Sequence, residues 1–142
     1  MDIAMDVVAL ERFLATDFPQ ADGMFRVLEV TPDGVRVALQ PAQAHLRPGG
    51  TVSGPTMFAL ADVGFYLAIL SRIGPEALTV TTSCSIDFMR KPPAGAELVC
   101  TSRLLKLGRV LAVGDALIEA AGVTGPVARA SLTYSIPPKR NT

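Results

Sequence analysis

Hydrophobic and polar positions follow two periods along this chain, and the change of period marks its elements. In the opening segment DIAMDVVALERFLATDF, Ile3, Val7, Leu10 and Leu14 recur at helical spacing, which predicts an amphipathic helix ending before Pro19. The period then falls to two. In GMFRVLEVTPDGVRVALQP, Phe25, Val27 and Val30 are set to one side, Thr31-Pro32-Asp33-Gly34 supplies a turn, and Val35, Val37 and Leu39 resume on one side. That pattern predicts a hairpin. The stretch AQAHLRPGGTVSGP has no period and is rich in Gly and Pro, so it reads as a loop.

Residues 56–70 contain no Pro and only Gly64, and they are apolar on nearly every side: Met57, Leu60, Ala61, Phe65, Ala68 and Ile69 leave little room for a polar face. A helix of that kind is enclosed by its surroundings. Gly64 and Ala68 are small enough to let it approach a sheet closely. Four strands follow: LTVTTSCSIDFMR, AELVCTSRLLKLG, RVLAVGDALIEAAG and PVARASLTYSI, punctuated by Pro92-Pro93-Ala94-Gly95, Gly108 and Gly122. The order is helix, two strands, central helix, four strands. An α+β arrangement in which an antiparallel sheet wraps one buried helix satisfies it, as a single domain over residues 1–142. The tail PPKRNT is expected to fray.

Composition narrows the function. The chain is 49% hydrophobic and 18% charged, apolar enough to expect a partner subunit over part of its surface. Its 13 basic and 13 acidic side chains leave no positive excess for nucleic acid. The run VGFYLAIL is too short to span a bilayer, and MDIAMDVVALERF has acids where a signal peptide has Lys or Arg, so a cytoplasmic, non-membrane protein is expected. Cys84 and Cys100 lie in strand-like stretches and read as free buried thiols. With one histidine, His45, far from both cysteines, neither a metal site nor a cofactor is expected.

One residue breaks the apolar pattern. Asp62 ends the run MFALAD inside the central helix. A buried carboxylate needs hydrogen bonds or a chemical task. It could sit at a subunit seam, or line a cleft as general base or nucleophile. The loop before it bears on that choice. Ser53 can cap the helix, Gly54 permits close approach to the backbone, and Pro55 suits the first turn because it has no N–H to satisfy. Free N–H groups at a helix start can hold a carbonyl oxygen as it becomes an oxyanion. Within one chain, however, Asp62 lies on the order of 10 Å further along the helix. A symmetric dimer in which the helix start of one subunit faces Asp62 of the other removes the conflict.

These residues carry a resemblance. The chain resembles hotdog-fold thioesterases of the phenylacetate-degradation (PaaI-like) type, which show an Asn, then a Gly, then His-Gly-Gly, with Leu-Ala-Asp shortly after. Here Arg47 stands at the Asn, Gly50 at the Gly, Ser53-Gly54-Pro55 at the His-Gly-Gly, and Leu60-Ala61-Asp62 matches as it stands, without gaps. The second half, from LTVTTSCSIDFMRKPPAGAEL to the Gly108-Arg109 turn, is also similar, so the resemblance covers roughly residues 22–136. It implies a hotdog fold and hydrolysis of an acyl-CoA thioester to a free acid and coenzyme A. Asp62 would be the catalytic carboxylate, with Gly54 and Ser53 beside it in the site. The family's backbone donor falls at Pro55, which has no N–H, leaving Gly54 and Thr56 as the nearby donors. Arg47 and Gly50 are further substrate-binding candidates, Arg90, Lys91 and Arg109 could meet the coenzyme A phosphates, and a homodimer, paired into a dimer of dimers, is expected.

Tyr66 lies one turn beyond Asp62 and could shape an acyl pocket with Phe58, Phe65 or Met57. His45 could touch substrate or have a surface or structural role. Two other functions compete: a hotdog protein that binds acyl-CoA or an apolar acid without cleaving it, and a hotdog dehydratase, which needs a His-and-acid pair that is not found locally here.

Overall fold

The computed structural model describes residues 2–21 and 23–138. Helix α1, Val7–Asp17, starts where the Asp6 carboxylate accepts a hydrogen bond from the Ala9 N–H at 2.9 Å. Leu10, Phe13 and Leu14 form its buried stripe, while Ile3 lies before the helix and is exposed, contrary to its expected place on that face. Strands β1, Phe25–Val30, and β2, Gly34–Leu39, form the expected hairpin. Val27 pairs with Val37 and Val30 with Val35, and the register shifts between Val27 and Glu29. This bulge resets the alternation, which is how Val30 rejoins the core side with Phe25 and Val27.

Helix α2, Gly54–Ile73, is longer than the expected residues 56–70 at both ends. Ser53 caps its start, and the Gly74 N–H closes its end on the Leu70 carbonyl at 2.9 Å. At 20 residues α2 is long and apolar enough to cross a membrane by length and composition, more than the short run VGFYLAIL suggests. Its apolarity is used inside the protein, where Leu60, Phe65, Leu67, Ile69 and Leu70 are wholly buried.

Strands β3, Val80–Phe88, β4, Leu98–Leu107, β5, Leu111–Ala120, and β6, Ala128–Ser135, complete one antiparallel sheet in the order β1-β2-β4-β5-β6-β3. α2 packs against all six strands. Two glycines make that approach close. A Cβ on Gly64 would stand 3.0 Å from the Cys100 sulfur, and the Gly64 carbonyl accepts from the Ser102 hydroxyl at 3.1 Å. A Cβ on Gly114 of β5 would lie 2.3 Å from the Phe65 ring. Cys100 is therefore core, as expected, whereas Cys84 is only half-buried on β3; both are free thiols.

The sheet has two edges, and they are treated differently. At β1 the Glu11 carboxylate of α1 accepts from the outward Val27 N–H at 2.8 Å, so a helix covers that edge. β3 pairs only with β6 and carries exposed Val80 and Phe88, followed by exposed Met89. The expected fraying of the tail falls, from residue 139 onward, outside the described residues.

Candidate active site

Asp62 is half-buried, and its carboxylate is held from one side only. Thr81 donates its hydroxyl to Asp62 Oδ1 at 2.7 Å, and Tyr134 donates to the same oxygen at 2.7 Å while lying 2.9 Å from the Asp62 carbonyl. Sheet register produces this convergence, because Thr81 of β3 and Tyr134 of β6 are cross-strand partners. A register shift between Thr81 and Ser83 turns Thr81 to the same side as the half-buried Cys84 and Ile86. Oδ2 has no hydrogen-bond partner among the described residues. Two donors on one oxygen fix the orientation of the carboxylate and leave the other oxygen free to act.

Burial, and after it the charge of Asp62, hold the Tyr134 phenol well above its ordinary range, so it remains a donor. Burial and the same charge raise the Cys84 thiol, which makes Cys84 a poor nucleophile here. A cleft of about 320 Å³ opens beside Asp62, lined also by Phe18, Val63, Tyr66, Thr79 and Thr81. Tyr66 does share this cleft with Asp62, stacked on Tyr134 at 6.1 Å and donating its hydroxyl to the Ala77 carbonyl at 3.1 Å. Its expected companions are elsewhere. Phe65 is wholly buried, Phe58 is exposed, and Met57 lines a different cavity.

The two phenols make an alkaline prediction. Burial first, and then the Asp17 charge, push Tyr66 from 10.0 up to about 12. Above about pH 10 an unfolded tyrosine loses the proton that the folded one still holds, so stability falls as pH rises from about 10 to about 12. Thermal unfolding followed across that range should show a dropping Tm, with a shallower drop in Tyr66→Phe. An unchanged slope in the variant would remove Tyr66 from the account.

The start of α2 is a second centre. Ser53 acts as the cap, its Oγ accepting from the Thr56 N–H at 3.3 Å and lying 2.7 Å from the Thr56 hydroxyl. Thr56 is itself buried, and its hydroxyl reaches the His45 carbonyl at 3.3 Å. The Met57 N–H is bonded to the Ser53 carbonyl at 3.2 Å. Pro55 has no N–H, so among the described residues Gly54 holds the first-turn N–H without an acceptor. The Phe88 ring lies against it, 3.2 Å from where a Cβ would be. His45 serves the loop: its Nδ1 accepts from the Ala42 N–H at 2.8 Å, and its carbonyl accepts from the Ser53 N–H at 2.9 Å.

Arg47, Arg90 and Lys91 line a cavity of about 300 Å³ with Gly54, Met57 and Phe88. Gly50 closes the neighbouring turn, its N–H donating to the Arg47 carbonyl at 3.0 Å. Arg90 is anchored by donating to the Pro126 carbonyl at 2.6 Å. Arg109 is not with them. It lies at the other end of the sheet, beside Ile73, Glu76 and Ile136. Thr81 and Tyr134 went unrecognised in the sequence, because hydroxyls at strand positions carry no signal until the β3–β6 register is known. No group of His, Cys, Asp and Glu capable of holding a metal ion occurs among the described residues.

One helix enclosed by a six-stranded antiparallel sheet, with a second helix over its β1 edge, is a hotdog fold of the α+β class. Residues 49–127 match the thioesterase superfamily, and the chain belongs to that family. The structure of a candidate thioesterase from Silicibacter sp. TM1040 is 51% identical at a TM-score of 0.89, covering 97% of this chain and 96% of that one. A mutant of the phenylacetic acid degradation protein PaaI from Thermus thermophilus is 29% identical at a TM-score of 0.73, covering 84% and 99%. A candidate esterase from Deinococcus radiodurans is 35% identical over 98 residues, 69% of this chain but 64% of that protein's length.

Proposed function

We propose that this chain is an acyl-CoA thioesterase working as a homodimer, with Asp62 as nucleophile or general base. The observation that carries the reading is the one-sided hold on Asp62: Thr81 and Tyr134 fix Oδ1, and Oδ2 is left without a partner among the described residues. As base, the carboxylate takes a proton from water as that water attacks the thioester carbonyl. As nucleophile, it attacks the carbonyl itself. In either route the carbon–sulfur bond breaks and coenzyme A leaves as the thiolate, which takes up a proton. In the second route water then cleaves the acyl–Asp62 anhydride to the free acid. In both routes negative charge develops on the carbonyl oxygen, and the Gly54 N–H at the positive end of α2 is suited to receive it. Arg47, Arg90 and Lys91, beside that helix start, suit the phosphates of coenzyme A.

The two centres sit at opposite ends of β3. Thr81 marks the Asp62 end, and Phe88, its ring against Gly54, marks the other. Pairing the bare β3 edge with its own copy, antiparallel about a two-fold axis, sets the partner's Gly54 end beside Asp62 and covers exposed Val80, Phe88 and Met89. Arg109 lies at the Asp62 end, near the partner's Arg90 in that arrangement. Further pairing into a dimer of dimers and a cytoplasmic location belong to the same reading.

The test is release of free coenzyme A from short, medium and aromatic acyl-CoAs, with light scattering for the dimer. Hydrolysis of at least one well above the background rate is expected. The missing N–H of Pro55 and the Phe88 ring over Gly54 favour a second reading, acyl-CoA binding without cleavage. Calorimetric binding with no released thiol across the panel would decide for it.

A further inference from the structure

The cleft beside Asp62 has a wall that lies outside the matched residues 49–127: the end of α1 and the turn after it, with Asp17, Phe18 and Gln20. Tyr66 links the two parts. It stands one helical turn beyond Asp62, and Phe18 meets its ring edge-on at 6.1 Å. The charge lining is one-sided, because Asp17 and Asp62 both border the cleft while, among the described residues of this protomer, no Lys, Arg or His does. We propose that this cleft receives the acyl group, and that Asp17 is a specificity-determining residue which selects uncharged acyl groups over those ending in a carboxylate. The proposal rests on the acyl-CoA reading of the same site and adds its substrate class.

The physical argument has two parts. Phe18, Val63, Tyr66 and Val80 give the cleft an apolar lining suited to hydrocarbon. An acyl group with a terminal carboxylate would bring its charge beside Asp17 with no cation among the described lining residues to offset it. Asp17 is exposed, so its field is screened by water and salt, and the discrimination it supplies is on the order of five-fold rather than absolute. Asp17 is also the last residue of α1, where the helix dipole disfavours an acid. Its replacement by a neutral or basic residue is therefore compatible with folding.

The experiment compares hexanoyl-CoA with adipoyl-CoA, equal in carbon number and different in terminal charge. For the parent, Asp17→Asn and Asp17→Lys, both kcat/KM and calorimetric Kd are measured. The parent should favour hexanoyl-CoA, Asp17→Asn should narrow the ratio about five-fold, and Asp17→Lys should narrow it further. Added salt should narrow the parent's ratio and leave that of Asp17→Asn nearly unchanged. If hexanoyl-CoA is cleaved but all three proteins give one ratio, the inference is overturned and the thioesterase reading stands. If neither compound is cleaved but the binding ratio moves with residue 17, the cleft assignment stands and catalysis does not. Absence of both cleavage and binding overturns both.

Discussion

Asp62→Asn is expected to abolish thioester hydrolysis, by about 10²- to 10⁴-fold for loss of a general base, while leaving the fold and acyl-CoA binding in place. The geometry makes this substitution unusually clean. Thr81 and Tyr134 both donate to Oδ1, and an amide oxygen has two lone pairs, so Asn can accept both bonds in the same orientation. What changes is the other atom. Oδ2, unpartnered among the described residues, becomes an NH₂ that can neither attack a carbonyl nor take a proton from water. Tm and Kd measured beside the rate separate chemistry from stability, because a merely structural Asp62 would lower activity by unfolding. A folded Asp62→Asn within two-fold of the parent on its best acyl-CoA would end the catalytic assignment.

Much of the fold was legible because each element had its own period. The enclosed helix announced itself by apolarity on every side, and the strands by alternation between Gly and Pro punctuation. Boundaries were less legible. α2 gains its first residues from the Ser53 cap and its last from the Gly74 closure, both of which lie outside the apolar run. The site was half legible. Asp62 stood out because an acid among buried residues demands an explanation, and Gly54 because it precedes a proline at a helix start. Thr81 and Tyr134 did not stand out, since their role depends on the β3–β6 register and on an irregularity that re-aims Thr81. Within one chain Arg109 and Arg90 stand apart for a related reason. Both follow strands in sequence, yet β3 and β5 begin at the same end of the sheet, so the residue after β3 and the residue before β5 lie at opposite ends. Asp17 was invisible as a site residue because nothing in its neighbourhood of sequence shows that α1 ends beside Tyr66.

The second large effect concerns the composite site. Asp62→Asn and Gly54→Val should each be inactive as homodimers, and a heterodimer of the two should recover about half of the parental activity. Asp62 lies eight positions beyond Gly54 on one helix, on the order of 12 Å, so one carbonyl cannot touch both within a protomer. In the heterodimer, one site joins the intact Asp62 of the Gly54→Val chain to the intact Gly54 of the Asp62→Asn chain, and the other site carries both defects. Gly54→Val is suited to the purpose. Gly54 is not among the positive-φ glycines, so a side chain is compatible with its backbone, and the nearest group is the movable ring of Phe88 at 3.2 Å. The added methyls would crowd the Gly54 N–H, which has no acceptor among the described residues. Two chains with different affinity tags, expressed together and purified through both tags in turn, give the heterodimer without statistical mixing. Activity no greater than that of either homodimer, from a heterodimer with parental Tm, would place Asp62 and Gly54 in separate sites and reject the shared one. Recovery to about half would show that Asp62 of one subunit and Gly54 of the other act in one site.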